Sequence, residues 1–312
     1  MLTSRPPAHW LLLLALVAMW GSSFVFTSIA VRTLPPTTVV AARLVIAAIV
    51  LGAAFILGAR RLPASIVHWR FFVISAVVGN MLPFWLISWG QQHISSGLAG
   101  ILMAIMPLST LVLAHLFLED ERLNRFRVLG FIIGFSGIVV LVGPTIVLEI
   151  RGIGSMLLAE LAVLGGAICY AANAIIARRR PPTAPLEAAT GVAIAGSLLM
   201  APIAVAADQP WNLSLTVPAA VAVAFLGVVA TGIATVVYFK LVSVAGPSFL
   251  SLINYLIPIW AVVVGVIALG EQPGWSALVA LALVLSGIGL SEIKRNPAGD
   301  AAAAGRRENT GH

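Results

Sequence analysis

Charged residues are the scarcest part of this sequence. Asp, Glu, Lys and Arg together make up only 9% of the 312 residues, whereas 60% are hydrophobic and the mean hydropathy is +1.06. An ordinary globular domain has about 25% charged residues, and a soluble chain of this size could not bury so much apolar surface. This scarcity excludes a soluble enzyme and predicts that lipid surrounds most of the protein.

The few charges also argue against a nucleic-acid partner. The net charge is +7, but the basic residues are scattered in twos and threes between apolar runs, and a nucleic-acid-binding protein would gather them into one patch. The single cysteine, Cys169, excludes a disulfide within the chain. We therefore expect a lipid bilayer and no nucleic acid as partners. The expected oligomeric state is a monomer or weak dimer.

Motifs for catalysis and for metal binding are missing as well. The five histidines never fall at i, i+4 on one helix, and the sequence contains no HExxH, GxSxG or Walker motif. An integral-membrane enzyme is an alternative class, but it would need a nucleophile with a base or a metal cluster. An ion channel would need filter loops or charge rings. We predict no enzyme activity, no metal and no cofactor.

Long apolar runs are what the chain has in abundance. A helix that crosses a bilayer needs about 20 mostly apolar residues, and backbone polar groups in lipid must be satisfied within the segment. The fold class predicted is therefore all-α integral membrane, with ten transmembrane helices. Their predicted bounds are 10–31, 36–57, 70–90, 96–117, 127–143, 154–177, 185–206, 217–239, 247–269 and 274–292.

The basic residues predict the orientation of these helices. When the loops are assigned to alternate sides, 15 of the 18 Lys and Arg fall on one side, two on the other, and Arg43 lies within a span. Cytoplasmic loops are rich in Lys and Arg, so both termini are predicted to be cytoplasmic in a multi-pass protein of the cell membrane. Residues 1–9 form the cytoplasmic N-terminus, and the Ala-, Gly- and charge-rich tail 293–312 is predicted to be disordered.

The second half of the chain repeats the first at a distance of about 150 residues. In the stretches 96–121 and 247–271, a proline (Pro107 or Pro258) follows eleven residues after the start, and an acidic residue ends the stretch. The predicted organisation is a first five-helix repeat over 10–143, an external connection over 144–153 and a second five-helix repeat over 154–292. Because five is odd, the two copies are inverted, as in many secondary transporters that bind substrate near the bilayer midplane.

Several motifs carry a resemblance to a known family. They are WGSSF at 20–24 with Pro35 or Pro36 after it, Arg43, PFWLISWG at 83–90, the SSGLAGIL run that leads from 95 to Pro107, ERL at 121–123 and GE at 270–271. Together they resemble the EamA-type permeases of the drug/metabolite transporter superfamily over about residues 10–292. The second half departs from the first, since no arginine matches Arg43 and Tyr170 stands where the first half has Trp20.

This resemblance implies a ten-helix carrier that commonly exports amino acids or other small metabolites. It also implies a central cavity lined mainly by the first, third and fourth helices and by their counterparts, the sixth, eighth and ninth. The predicted function is a secondary transporter that moves a small organic solute by alternating access. A multidrug or toxic-compound efflux carrier of the same fold is the alternative within this class.

Polar side chains inside membrane spans are costly and are therefore candidates for the substrate site. In the third span, Asn80, Phe84 and Ser88 recur at intervals of four and share one helix face. The full set of predicted substrate-binding residues is Trp20, Ser23, Asn80, Phe84, Ser88, Met103, Tyr170, Asn173, Thr231, Tyr238, Asn254 and Tyr255. Aromatic walls with a few amide and hydroxyl groups suit a small zwitterion. The alternative for each Ser or Thr is a role in helix packing.

The charged and kink-forming residues of the spans receive separate predictions. Arg43 and Glu160 lie at similar depths, and burial of either charge alone is costly, so we expect a structural ion pair. Proton coupling through Glu160 is the alternative. Pro107 and Pro258 remove helical hydrogen bonds at equivalent places in the two copies, which predicts a pair of hinges. Glu121 and Glu271 are expected to anchor helix ends.

Overall fold

The fold is a bundle of ten apolar helices within the part of the chain that the structure describes. A computed structural model describes residues 6–58, 62–63, 65–118, 125–149 and 155–292. In chain order the helices are α1 Pro7–Ala30, α2 Pro36–Leu57, α3 Ile66–Gly90, α4 Ser96–Phe117, α5 Arg125–Glu149, α6 Ser155–Arg178, α7 Pro185–Asp208, α8 Val217–Ala245, α9 Pro247–Leu250 with Ile253–Leu269, and α10 Trp275–Glu292. Eight are long and apolar enough to cross a membrane, and the main part of α9 and α10 are shorter. The predicted all-α class is confirmed.

Local sequence signals explain where these helices begin and end. Proline stands at the start of α1, α2 and α7, where its missing N–H leaves no helical bond unmade. The Oγ atoms of Ser65, Ser95 and Thr216 accept backbone N–H groups at the starts of α3, α4 and α8. Gly270 ends α9 at φ 67°, a conformation that glycine adopts without a steric penalty.

Some helices are longer than predicted. The structure starts α1 at Pro7 and α3 at Ile66, ahead of the first long apolar run in each case, because a proline or a serine cap sets the start. It continues α5 through Glu149, into the predicted connection 144–153, and α8 through Ala245. Polar residues such as His9, His68 and Lys240 lie in these extra turns, and a hydropathy criterion tends to end a span at such residues.

The surface of the bundle is apolar and its interior is rich in small residues. Leu57 is 88% exposed, Ile267 79% and Val217 76%. Many of the fully buried positions are alanines, such as Ala47, Ala99 and others in each half. Large side chains outside and small ones between helices are the arrangement expected where lipid is the solvent. The ten-helix chain is thus a multi-pass membrane protein.

The helix contacts come in pairs that match when the two halves are exchanged. Helix α1 packs on α8 and α9, and its counterpart α6 packs on α3 and α4. Likewise α2 packs on α8, and α7 packs on α3. The equivalent helices α2 and α7, α4 and α9, and α5 and α10 contact each other. This pattern is that of two five-helix repeats related by a pseudo-twofold axis.

Helices α5 and α10 approach most closely through glycines. A Cβ atom added at Gly287 would meet the backbone of Gly130 and Gly134, and one added at Gly130 would meet the backbone carbonyl of Gly287. Gly130 and Gly134 form a GxxxG pair, which lets helix backbones touch in membranes. The glycines of this pair therefore serve helix packing.

The third and fourth helices of each repeat contain irregular segments. The third helices, α3 and α8, contain π-helical segments at Val77–Met81 and Phe225–Ile233. The fourth helices, α4 and α9, are interrupted after Met103 and after Leu250. Such interruptions turn backbone groups and side chains away from the regular helical positions. Residues of the irregular regions of α3, α4 and α8 line the central cavity described below, and Asn254, near the start of the main part of α9, lines it as well.

Several predicted features lie outside the described residues. They are the tail 293–312, residues 1–5 of the N-terminus, residues 150–153 of the connection, residue 154 of the second repeat, and Glu121 with the ERL motif. The disorder of the tail and the anchoring role of Glu121 stay predictions.

Candidate functional site

A central cavity of about 290 Å³ lies between the two halves. Its lining comes from α1, α3, α4, α6, α8 and α9, which are the six helices that the family resemblance implied, and from α2 as a seventh. Trp20, Asn80 and Thr231 lie near the middles of their helices, so the cavity lies about halfway along the bundle. A space of this size, with mostly apolar walls and a few polar groups, is typical of a small-molecule site.

Nine of the twelve predicted substrate-binding residues line this cavity. They are Trp20, Ser23, Asn80, Phe84, Ser88, Met103, Tyr170, Thr231 and Asn254. Phe84 and Tyr170 form one aromatic wall, with ring centroids 6.2 Å apart in an edge-to-face arrangement. The hydroxyl and amide groups of Ser88, Asn80 and Asn254 interrupt the apolar lining.

The other three predicted residues lie outside the cavity lining. Asn173 packs against Gly79 of α3. Tyr238 lies behind Trp20, with ring centroids 5.7 Å apart. Tyr255 packs against the core formed by α4, α5 and α10 and lies 4.0 Å from the position of a Cβ atom added at Gly289. The three residues therefore lie on helices that line the cavity, but their side chains pack outside its lining.

Trp20 is held in place by the irregular backbone of α8. Its Nε1–H donates to the carbonyl oxygen of Ala230 at 3.1 Å, inside the π-helical segment, where carbonyl groups leave the regular helical pattern. Tyr238 supports the other side of the indole. The indole of the first repeat is therefore fixed by two residues of the second.

Arg43 is the cavity residue that the sequence interpretation assigned to a different role. Its side chain is only 8% exposed. Its Nε–H donates to the Thr231 hydroxyl at 2.8 Å, and its Cζ lies 3.6 Å from the centroid of the Phe84 ring. Arg43 therefore forms part of the cavity wall, between α2 of the first repeat and α8 of the second.

The structure does not bring Glu160 to Arg43, so the predicted ion pair is corrected. Glu160, 1% exposed, lines a second cavity of about 400 Å³ together with Glu271 and residues of α4, α5, α9 and α10. Similar depth along two helices suggested a pair, but α2 packs on α7 and α8, whereas α6 packs on α3 and α4. The helix arrangement thus directs the two side chains into different cavities.

Glu271 anchors the start of α4, as predicted. Its Oε1 accepts the backbone N–H and the hydroxyl of Ser96, both at 2.7 Å, and its Oε2 accepts the N–H of Gly97 at 2.9 Å. A carboxylate at a helix N-terminus satisfies free N–H groups and interacts favourably with the helix dipole. Asp208 binds Thr38 near the start of α2 in the same manner. Both contacts join one repeat to the other.

The two predicted hinge prolines both line the cavity, but in different backbone settings. Pro107 is the second residue of the segment Met106–Phe117, directly after the interruption of α4. Pro258 lies inside the continuous segment Ile253–Leu269. Equivalent sequence positions thus give a helix break in one repeat and a proline within a helix in the other.

Other cavity residues escaped the sequence-based selection because they are apolar or small. They include Phe24, Ile87, Gly100, Ala104, Met106, Ala230 and Ile257. Thr27 and Thr235, which helix periodicity places on the same faces as Trp20 and Thr231, line the cavity as well. For the apolar residues, helix packing alone determines which side faces the cavity.

A comparison with protein families adds to this geometry. A sequence model of the EamA-like transporter family matches residues 8–143 and again residues 157–292. The chain belongs to this family. The double match assigns one copy of the family's unit to each half, in keeping with the paired helix contacts.

Individual relatives are similar over almost their whole length. A probable terminal-alkyne amino-acid exporter of Streptantibioticus cattleyicolor is 28% identical over 304 residues, which cover 96% of this chain and 98% of that protein. The uncharacterized inner membrane transporter YedA of Escherichia coli is 26% identical over 291 residues, covering 89% and 90%. A solved crystal structure with 21% identity covers 93% of this chain and 98% of its own, with a TM-score of 0.63, and shares the fold. The chain is a membrane transporter of the drug/metabolite transporter superfamily.

Proposed function

We propose that this transporter is a secondary carrier that exports a small organic solute, an amino acid or a related metabolite, by alternating access. The observation that carries this proposal is the central cavity, which is lined by helices of both repeats about halfway along the bundle. Inverted repeats that rock against each other around a fixed site are a recurrent mechanism of secondary transport.

The size and chemistry of the cavity support a small substrate. About 290 Å³ accommodates a molecule of amino-acid size. Trp20, Phe84 and Tyr170 offer aromatic faces for apolar parts, while Asn80 and Asn254 offer amide groups for polar parts. The similarity to a protein named a probable amino-acid exporter supports the same substrate class and direction.

We further propose that Pro107 and Pro258 permit the movement between the two access states. Each proline contacts the cavity and lacks the N–H that would bond the preceding turn. Bending at these points would open the cavity to one side and then to the other. In this proposal the protein lies in the cell membrane with both termini in the cytoplasm.

Solute flux in proteoliposomes tests this function. The purified chain is reconstituted, and uptake and counterflow of a panel of amino acids and other metabolites are measured with and without a proton gradient. We expect saturable flux and counterflow for at least one small metabolite. Flux that never saturates would instead indicate a channel, and flux of many bulky apolar cations would favour the multidrug carrier.

A further inference from the structure

The positive charge of Arg43 faces the central cavity. Among the described residues that line the cavity, Arg43 is the one charged side chain. A guanidinium has five N–H donors, and within the described chain the hydrogen-bond acceptor of Arg43 is the Thr231 hydroxyl, which binds Nε–H. Arg43 thus lines the cavity, and the outer N–H groups of its guanidinium have no carboxylate partner among the described residues.

We infer that Arg43 binds a carboxylate group of the transported solute. The inference rests on the proposed carrier function and names its substrate class: small organic acids or amino acids with a single anionic group. An arginine binds a carboxylate through two parallel N–H···O bonds, and a charge buried in a low-dielectric site is costly without a partner. The solute would supply that partner.

The charge balance of the cavity favours a carboxylate over other ligand groups. One arginine neutralises one negative charge, so a phosphate dianion would leave excess charge in the cavity. A simple organic cation would meet a like charge, and the described lining has no carboxylate to receive it. An amino acid brings its own ammonium group, whose N–H groups can donate hydrogen bonds to the oxygens of Asn80, Ser88 and Asn254.

Thr231 is a positioning residue for the guanidinium. Its hydroxyl donates to the Leu226 carbonyl oxygen at 2.8 Å, so its lone pair is directed to the Nε–H of Arg43. The Phe84 ring supports one face of the guanidinium at 3.6 Å. These contacts hold the Nε side of the planar group, which leaves the opposite edge free to bind the ligand.

Binding of matched ligand pairs to the purified full-length chain tests the inference. Thermal stabilisation and calorimetric titration are measured with each standard amino acid, with its carboxamide and with the corresponding acid that lacks the amino group, as in leucine, leucinamide and isocaproate. We expect the amino acids, or the acids without an amino group, to bind and to compete with one another. Their amides should bind at least about 30-fold more weakly, because an amide group lacks the negative charge that Arg43 would bind.

Variants separate a ligand contact from a structural role. Arg43→Gln is expected to reduce carboxylate affinity about 30-fold or more and to abolish the preference for acid over amide. Arg43→Lys retains the charge without the planar fork and should keep part of the preference. Thr231→Val leaves the arginine in place but unoriented, and should weaken the preference about tenfold. Arg32→Gln, at an exposed arginine, is the matched control and should bind as the wild type does.

The possible outcomes are distinct. Equal affinity for acids and amides, absence of any carboxylate ligand across the panel, or an unchanged preference in Arg43→Gln and Thr231→Val would overturn the inference. Saturable flux of a solute without a carboxylate would overturn it as well, while the carrier function would stand. Carboxylate binding without counterflow would support the site and contradict the carrier.

Discussion

At the scale of single residues, the cavity places amide and hydroxyl groups opposite aromatic faces. Asn80 comes from the π-helical segment of α3 and Tyr170 from α6, so the two approach the cavity from different repeats. An amide suits the polar end of a solute and a phenol ring its apolar part. Both residues are proposed ligand contacts whose effects can be separated.

We predict that Asn80→Ala and Tyr170→Ala both reduce transport. Loss of an uncharged hydrogen bond should raise the KM of the identified substrate about three- to tenfold, and loss of an aromatic wall about tenfold or more. Flux in proteoliposomes at several substrate concentrations measures both. Asn212→Ala, in the exposed connection before α8, should behave as the wild type. Unchanged flux in both cavity variants would contradict the site assignment.

At the scale of helices, prolines that contact the cavity differ from prolines that do not. Pro107 and Pro258 line it, whereas Pro202 lies inside α7 at an exposed position. Replacement of a proline by alanine restores an N–H and allows a straighter helix. If bending at the cavity accompanies transport, replacement of Pro107 or Pro258 should slow transport, and replacement of Pro202 should not.

We therefore predict that Pro107→Ala and Pro258→Ala lower the maximal transport rate several-fold with little change in substrate affinity. Binding to the purified protein and flux in proteoliposomes measure the two quantities separately. Pro202→Ala is the control. A loss of rate in Pro202→Ala equal to that in the other two would argue for static bending and against hinges.

The helix pair α5–α10 gives a second prediction at this scale. A Cβ atom at Gly287 would meet the backbone of Gly130 and Gly134, whereas one at Gly289 would approach only Tyr255, at 4.0 Å. Gly287→Ala should cost about 1–3 kcal/mol through overpacking, and Gly289→Ala should be neutral or slightly stabilising because alanine favours the helix. Unfolding midpoints in detergent compare the two. Equal midpoints would show that the helices do not meet at Gly287.

At the scale of the whole molecule, the inversion of the two repeats fits the proposed alternating access. The matching contacts of α1 with α9 and of α6 with α4 place equivalent helices on opposite sides of the cavity. A rocking motion that closes one side would then open the other, since the two sides are built from the same unit. Glu271 and Asp208 join the repeats at one end of the bundle.

Cysteine labelling tests this topology. In a Cys169→Ser background, an impermeant maleimide should label Gln92→Cys and Asn212→Cys from outside intact cells. Ser243→Cys, at the far end of α8, and His312→Cys should react only after the membrane is opened. This expectation follows because each repeat has an odd number of helices and positive charge lies on the cytoplasmic side. Labelling of Asn212→Cys and Ser243→Cys from the same side would contradict it.

Much of the fold could be predicted from the sequence because hydropathy is a local property. Each apolar run must satisfy its own backbone hydrogen bonds in lipid, so the lengths of the runs predicted the ten helices. The spacing of Pro107 and Pro258 predicted the repeat. Periodicity also indicated the faces of α1, α3 and α8 that line the cavity. The anchoring role of Glu271 followed from its place at a helix end.

The tertiary structure alone decided which polar groups meet. Their similar depth along the helices made Arg43 and Glu160 plausible partners. However, α2 packs mainly on α7 and α8, whereas α6 packs mainly on α3 and α4. Arg43 contacts Thr231 and Phe84 instead. Tyr238 shares a face of α8 with the cavity residue Thr235, yet it packs on Trp20 and lies outside the lining. Composition and spacing determine which segments cross the membrane, whereas the environment of each buried charge depends on helix packing between residues far apart in the chain.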